Sequence, residues 1–142
     1  MMYMLDTCVL SETIKPAPDA SLVAWLTQQK PDQLFITTFT LGELREGIDR
    51  LDAGTKKHQL LLCLARLAEE YQHRFLDFDS ESAMIWGDLC SESKKEGFPL
   101  PVMDSLLAAT TLRHGGTLVT RNERDYRNFG VLLLNPWSQQ EF

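Results

Sequence analysis

Three acidic side chains stand where this sequence could do chemistry. Asp6 follows Tyr3-Met4-Leu5, Glu43 lies in Thr-Leu-Gly-Glu-Leu, and Asp104 lies in Pro-Val-Met-Asp-Ser-Leu. Each sits between an apolar run and a helix-like segment, a position that keeps a carboxylate out of the core. Brought together by a fold, they form a carboxylate cage for a hard divalent cation. Mg²⁺ and Mn²⁺ are the ions such a cage suits, because they prefer oxygen ligands and keep bound waters.

Each acid also has a plain structural alternative. Thr40-Leu41-Gly42-Glu43 fits the capping box, in which the glutamate reaches back to the N–H of a capping threonine. Asp104 falls in the first turn of a helix-like segment, where the macrodipole favours negative charge. Asp6 is harder to explain this way, since Thr-Cys-Val-Leu resumes apolar character at once and no turn cluster is present. Asn122 and Asp125 suit loops and caps for local reasons. Asp77, Asp79, Asp88 and Glu92 read as solvated or capping residues. His58, His73 and His114 lack a shared metal spacing, and Trp25 and Trp86 read as core rather than base-stacking residues. Cys8, Cys63 and Cys90 are odd in number and widely spaced, so they read as reduced thiols.

The elements that must position these groups alternate along the chain. Strand-like runs at 3–5, 34–38, 75–78, 117–120 and 131–134 are separated by helix-like segments. The helical segments run from 7 to about 15, from Asp19 to about 30, from near Thr40, from Thr55 to about 74, from Ser80 to about 96, and from Pro101 to His114. Gly97 and Gly115-Gly116 are natural stops, and 121–129 reads as a polar turn or short helix. Uninterrupted apolar strands alternating with helices predict a parallel sheet covered on both faces, a Rossmann-like α/β/α arrangement. Ligands of such sheets bind beyond the carboxyl ends of the strands. Asp6, the 38–43 segment and the 120–125 segment all follow strands directly.

Length and composition set the outer bounds. The 142 residues, 44% hydrophobic and 24% charged, predict one compact domain over 1–142. Apolar runs are too short to cross a bilayer. The opening Met-Met-Tyr-Met-Leu-Asp lacks the basic and apolar parts of a signal peptide, which predicts a cytoplasmic protein without a membrane association. A net charge of −6 argues against a protein that coats nucleic acid through bulk electrostatics. It leaves room for an enzyme whose bound metal restores local attraction for phosphate.

The order of the motifs resembles the PIN-domain family, specifically the VapC and FitB type of toxin from prokaryotic toxin–antitoxin pairs. The residues that carry the likeness are Met4-Leu5-Asp6-Thr7 with Val9-Leu10-Ser11-Glu12, then Thr40-Leu41-Gly42-Glu43-Leu44-Arg45-Glu46-Gly47. They continue with Met103-Asp104-Ser105-Leu106-Leu107-Ala108-Ala109-Thr110, Val119-Thr120-Arg121-Asn122 and Asn135-Pro136-Trp137. The resemblance implies an α/β/α sandwich and a Mg²⁺- or Mn²⁺-dependent endoribonuclease, with tRNA one candidate substrate. It also implies a homodimer held inactive by a small VapB- or FitA-like antitoxin. Asp6, Glu43 and Asp104 match the family's acidic positions. The fourth, often aspartate, is Asn122 here, and related toxins carry an acid at the place of Asp125. Cys8 replaces a frequent asparagine and, as a soft ligand, is expected to pack rather than bind Mg²⁺.

On this reading Asp6, Glu43 and Asp104 hold the metal, with Asn122 or Asp125 as the fourth group. Thr7 and Thr120 supply hydroxyl contacts, and Arg45, Arg121 and Arg124 are candidates for gripping RNA phosphates. Two rivals stand beside it. One is a phosphatase or phosphotransferase with Asp6 as nucleophile, disfavoured by Cys8 where a second acid is expected. The other is a catalytically silent binding module on the same fold.

Overall fold

The computed structural model describes residues 1–97 and 101–137. Strand β1 (Tyr3–Leu5) leads into helices α1 (Thr7–Thr13) and α2 (Ala20–Gln28) and, after a 3₁₀ turn at Pro31–Gln33, into β2 (Leu34–Thr37). Helices α3 (Thr38–Asp49) and α4 (Thr55–Glu70) follow, then β3 (Phe75–Leu76), α5 (Ser80–Glu96) and α6 (Val102–Arg113). The chain continues through β4 (Thr117–Val119), the single turn α7 (Glu123–Tyr126) and β5 (Leu132–Leu134).

All five strands are parallel, in the order β3-β2-β1-β4-β5. The order turns back at β1, which pairs Tyr3 with Leu34 on one side and with Thr117 on the other. That reversal opens a crevice at the carboxyl edge between β1 and β4. Side chains of a strand alternate between faces, and the core divides accordingly. Leu5 and Val119 join Leu10, Trp25, Ile36 and Leu44 in one cluster, whereas Met4 and Leu118 join Leu107, Ala108 and Tyr126 in another. Helices α1 to α4 thus cover one face and α6 and α7 the other, the expected α/β/α arrangement. Full burial of a Leu or Ile side chain contributes about 1.5–3 kcal/mol, and Leu5, Ile36 and Leu118 have no exposed surface.

Several boundaries differ from the sequence reading. Helix α3 starts at Thr38 rather than near Thr40, because the hydroxyl of Thr37 accepts the N–H of Thr40 and caps the helix from the strand end. Helix α4 stops at Glu70, β2, β3 and β4 are shorter at their carboxyl ends, where Thr38, Asp77 and Thr120 lie outside the strands, and β5 begins one residue later, at Leu132. Gly97 ends α5 at φ 75°, a left-handed conformation that glycine adopts without cost. Among the described residues, no helix is long and apolar enough to cross a membrane.

Candidate active site

The carboxyl edge of the sheet gathers all three acids. Asp6 leaves β1 while still on the ladder, its N–H donating to the Val119 carbonyl at 3.0 Å. Its side chain then caps α1, with Oδ1 accepting the Thr7 N–H at 2.7 Å. Oδ2 accepts the Thr120 hydroxyl at 2.7 Å and lies 3.4 Å from the Tyr126 hydroxyl. Thr120 is fixed in turn by its own N–H, which donates to Leu134 at 3.0 Å. Asp6 is 7% exposed, so a rigid and nearly dry frame holds this carboxylate.

Glu43 reaches the same edge from α3. Leu44 and Ile48 are buried one helical turn apart and leave Glu43 at the margin of the packed stripe. There its Oε1 accepts the Thr7 hydroxyl at 2.9 Å. With Thr37 as the cap, Glu43 lies beyond the first turn, and the capping-box alternative does not hold for it. Asp104 does occupy the first turn of α6, so the macrodipole favours its charge there. Its Oδ1 also accepts the Tyr126 hydroxyl at 3.0 Å. The neighbouring Ser105 accepts the Trp86 indole N–H at 2.9 Å and steadies the start of α6 against α5.

The result is a row that runs Glu43, Thr7, Asp6, Tyr126, Asp104, with protein donors between the acids. Among the described residues no three His, Cys, Asp or Glu side chains converge closely enough to enclose an ion. The carboxylate cage expected from the sequence stands here as a row, with a protein donor between neighbouring acids. Its donors are all oxygens, and that chemistry fits a hard cation.

Electrostatics follow from this crowding. Burial pushes the Asp6 carboxyl above its ordinary value, against the hydrogen bonds from Thr120, Thr7 and Tyr126. Glu43 is raised first by burial and then by the charges of Asp6 and Asp104. Asp104 is raised by burial, then by Asp6 and Asp125, while the Tyr126 hydrogen bond pulls it down. Tyr126 itself is held firmly in its protonated form by burial and by both carboxylates.

The remaining sequence candidates divide. Asn122 precedes α7 and is exposed, its N–H donating to the Thr120 hydroxyl at 3.0 Å while its side chain makes no capping bond. Asp125 is exposed on α7, with its charge felt at Asp104. Arg121, Asn122, Glu123, Arg124, Asp125 and Arg127 line an adjoining concavity of about 360 Å³. Arg121 also lies 5.7 Å over the Trp137 ring. Arg45 is exposed and paired with Asp49 at 3.0 Å. Cys8 is a free thiol 3.7 Å from the Thr120 hydroxyl, and burial pushes its pKa up. Tyr126 is the residue that the sequence reading did not select. Its place in Asp-Tyr-Arg looks like an ordinary apolar anchor, and only its position next to Asp125 in the Thr-Arg-Asn segment hints otherwise.

Comparison with known proteins adds an independent line. Residues 3–131 match the family model described as the PIN domain. Toxin FitB of Neisseria gonorrhoeae is 33% identical over 137 residues, which cover 96% of this chain and 99% of that protein. VapC ribonuclease Y4jK of Sinorhizobium fredii is 31% identical over 140 residues, covering 96% of this chain and 98% of that protein. The crystal structure of FitAcB from Neisseria gonorrhoeae superposes with a TM-score of 0.90 at 33% identity, over 96% of this chain and 99% of that one.

Proposed function

The chain belongs to the PIN-domain family, and from that premise we propose that it is a metal-dependent endoribonuclease, the toxin of a toxin–antitoxin pair. The observation that carries this reading is the row of Asp6, Glu43 and Asp104, delivered by three different elements to the crevice between β1 and β4. The similarity to a ribonuclease and to a toxin supports RNA as substrate, with tRNA one candidate, and supports a small VapB- or FitA-like antitoxin as partner. A homodimer completes the proposal. Met84 and Val102, which are 75% and 62% exposed on α5 and α6, offer apolar surface for it.

Asp6, Glu43 and Asp104 would hold Mg²⁺, or Mn²⁺ in its place, with Asn122 or Asp125 as the fourth group. The reach of the Asp125 charge to Asp104 supports Asp125. A bound divalent ion supplies an acidified water and neutralises phosphoryl charge. The protein's own part is to hold and orient the ion. Burial and the neighbouring charges make Glu43 and Asp104 costly to keep ionised without a counter-charge, and a divalent cation would relieve that cost, which suits both to the role of ligands. Thr7 and Thr120 keep Glu43 and Asp6 in place. Arg121 and Arg124 beside the site, and Arg45 by exchanging Asp49 for phosphate, would grip the RNA backbone.

Asp6 as a phosphoryl-accepting nucleophile fits less well, because the second acid expected two residues on is replaced by Cys8, whose thiol lies against the Thr120 hydroxyl at 3.7 Å. The deciding experiment is Asp104→Asn, in which the amide oxygen still accepts from Tyr126 and the charge is lost. The folded variant should cleave RNA with Mn²⁺ at least about 100-fold more slowly than the parent. Cleavage at the parental rate would overturn the catalytic assignment.

A further inference from the structure

Tyr126 binds the two halves of the site together from below. Its ring packs in the core with Met4, Leu107, Ala108 and Leu118, and meets the Phe129 ring edge-on at 6.2 Å. Only 1% of the residue is exposed. From that anchored ring the hydroxyl reaches Asp104 Oδ1 at 3.0 Å and Asp6 Oδ2 at 3.4 Å. One phenolic proton is thus shared between two carboxylates on different elements, more strongly with Asp104. Asp6 has other donors in Thr7 and Thr120. For the Asp104 carboxylate, Tyr126 is the only hydrogen-bond donor among the described residues.

A buried phenol needs one acceptor to be satisfied, and this one stands between two repelling anions. We propose that Tyr126 is a positioning residue of the carboxylate site, its hydroxyl holding Asp6 and Asp104 at a set spacing so that the pair receives a divalent cation without rearranging. The inference rests on the reading of these acids as metal ligands. Removing the hydroxyl leaves Asp104 free to swing away from Asp6, and each cation bound must then first gather the pair. Groups that orient ligands in this way contribute about 10- to 100-fold in metal affinity or activity.

Tyr126→Phe tests this directly, since phenylalanine keeps the ring in the core. Mn²⁺ binding to the metal-stripped protein is measured by calorimetry at fixed pH, together with melting temperature in EDTA and in Mn²⁺, and with kcat and KM on RNA. The expected result is Mn²⁺ affinity lowered by about 10-fold or more, a smaller Mn²⁺-induced rise in melting temperature, and a fall in kcat with KM for RNA little changed. A variant that binds Mn²⁺ as tightly as the parent would overturn the proposal, as would one whose melting temperature drops equally with and without Mn²⁺. Asp104→Asn serves as the reference. If the parent binds Mn²⁺, Asp104→Asn does not, and Tyr126→Phe matches the parent, only the positioning role fails. If the parent takes up no Mn²⁺, the carboxylate reading fails and this proposal with it.

Discussion

Asp6 serves the fold and the site with the same two oxygens. One caps α1 and the other accepts from Thr120, so replacing it would damage both, and Asp104 is the cleaner place to separate function from stability. In the metal-free protein Asp104 is a raised carboxylate facing Asp6 and Asp125. Asp104→Asn should therefore raise the melting temperature in EDTA at neutral pH by about 1–3 °C while it removes activity. Differential scanning calorimetry would show this, and a lower melting temperature would mean that the Tyr126 hydrogen bond and the helix dipole outweigh burial and repulsion at Asp104. Cys8 makes a second residue-level case. A thiol pushed above its ordinary value is less ionised, so Cys8 should react with iodoacetamide at pH 8 more slowly than free cysteine, as followed by mass spectrometry. The three acids were legible in the sequence through their joint order, since Glu43 and Asp104 each have a helix-end explanation when taken singly. Tyr126 was not, since nothing in its neighbours tells whether its hydroxyl points to solvent or between two carboxylates.

At the scale of the element, the start of α3 decides where Glu43 points. Thr37 is fully buried, and its hydroxyl pairs with both the N–H and the hydroxyl of Thr40. Thr37→Ala should destabilise the protein by about 1–2 kcal/mol in urea unfolding, the range for a lost N-cap. Thr37→Ser should restore most of that. Equal loss in both variants would point to the methyl group rather than the cap. The same segment shows why helix existence was easier to read than helix onset. Thr37, Thr38 and Thr40 are all chemically fit to cap, and the choice depends on where β2 runs out against β1 and β3, a long-range matter. The alternation of strands and helices was legible because apolar runs and Gly stops are local. That β4 rather than β3 lies beside β1 is a property of the packed sheet and left no comparable mark in the chain.

At the scale of the molecule, acids with opposite shifts set the response to pH. Asp6 and Glu43 have folded-state values above the ordinary 3.8 and 4.5, and Asp104 is likewise raised. Their contribution to stability is present below those ordinary values and is lost as pH rises through the raised ones. Asp79 behaves in the opposite sense. The N–H and hydroxyl of Ser82, then Arg113, hold it at about 2, so its contribution is present above 3.8 and is lost as pH falls through about 2. The metal-free protein should accordingly melt higher at the ordinary glutamate value of 4.5 than at neutral pH. With Mn²⁺ the order should reverse, because protons and cation compete for the same oxygens and a ligand of the folded state stabilises by mass action. Thermal scans at both pH values, with EDTA and with Mn²⁺, check this. Unchanged order after Mn²⁺ would count against metal at the row of acids.

The sheet order has a temporal side. Asp6 is made well before Thr120 and Tyr126, the partners of its Oδ2, which follow 114 and 120 positions later. Until β4 is in place, β1 has an open edge and Asp6 lacks the frame on that side. A nascent chain can hold all three acids and still have no assembled site. For a nuclease produced by a machine built of RNA, activity is thereby withheld until the chain through Tyr126 has left the ribosome.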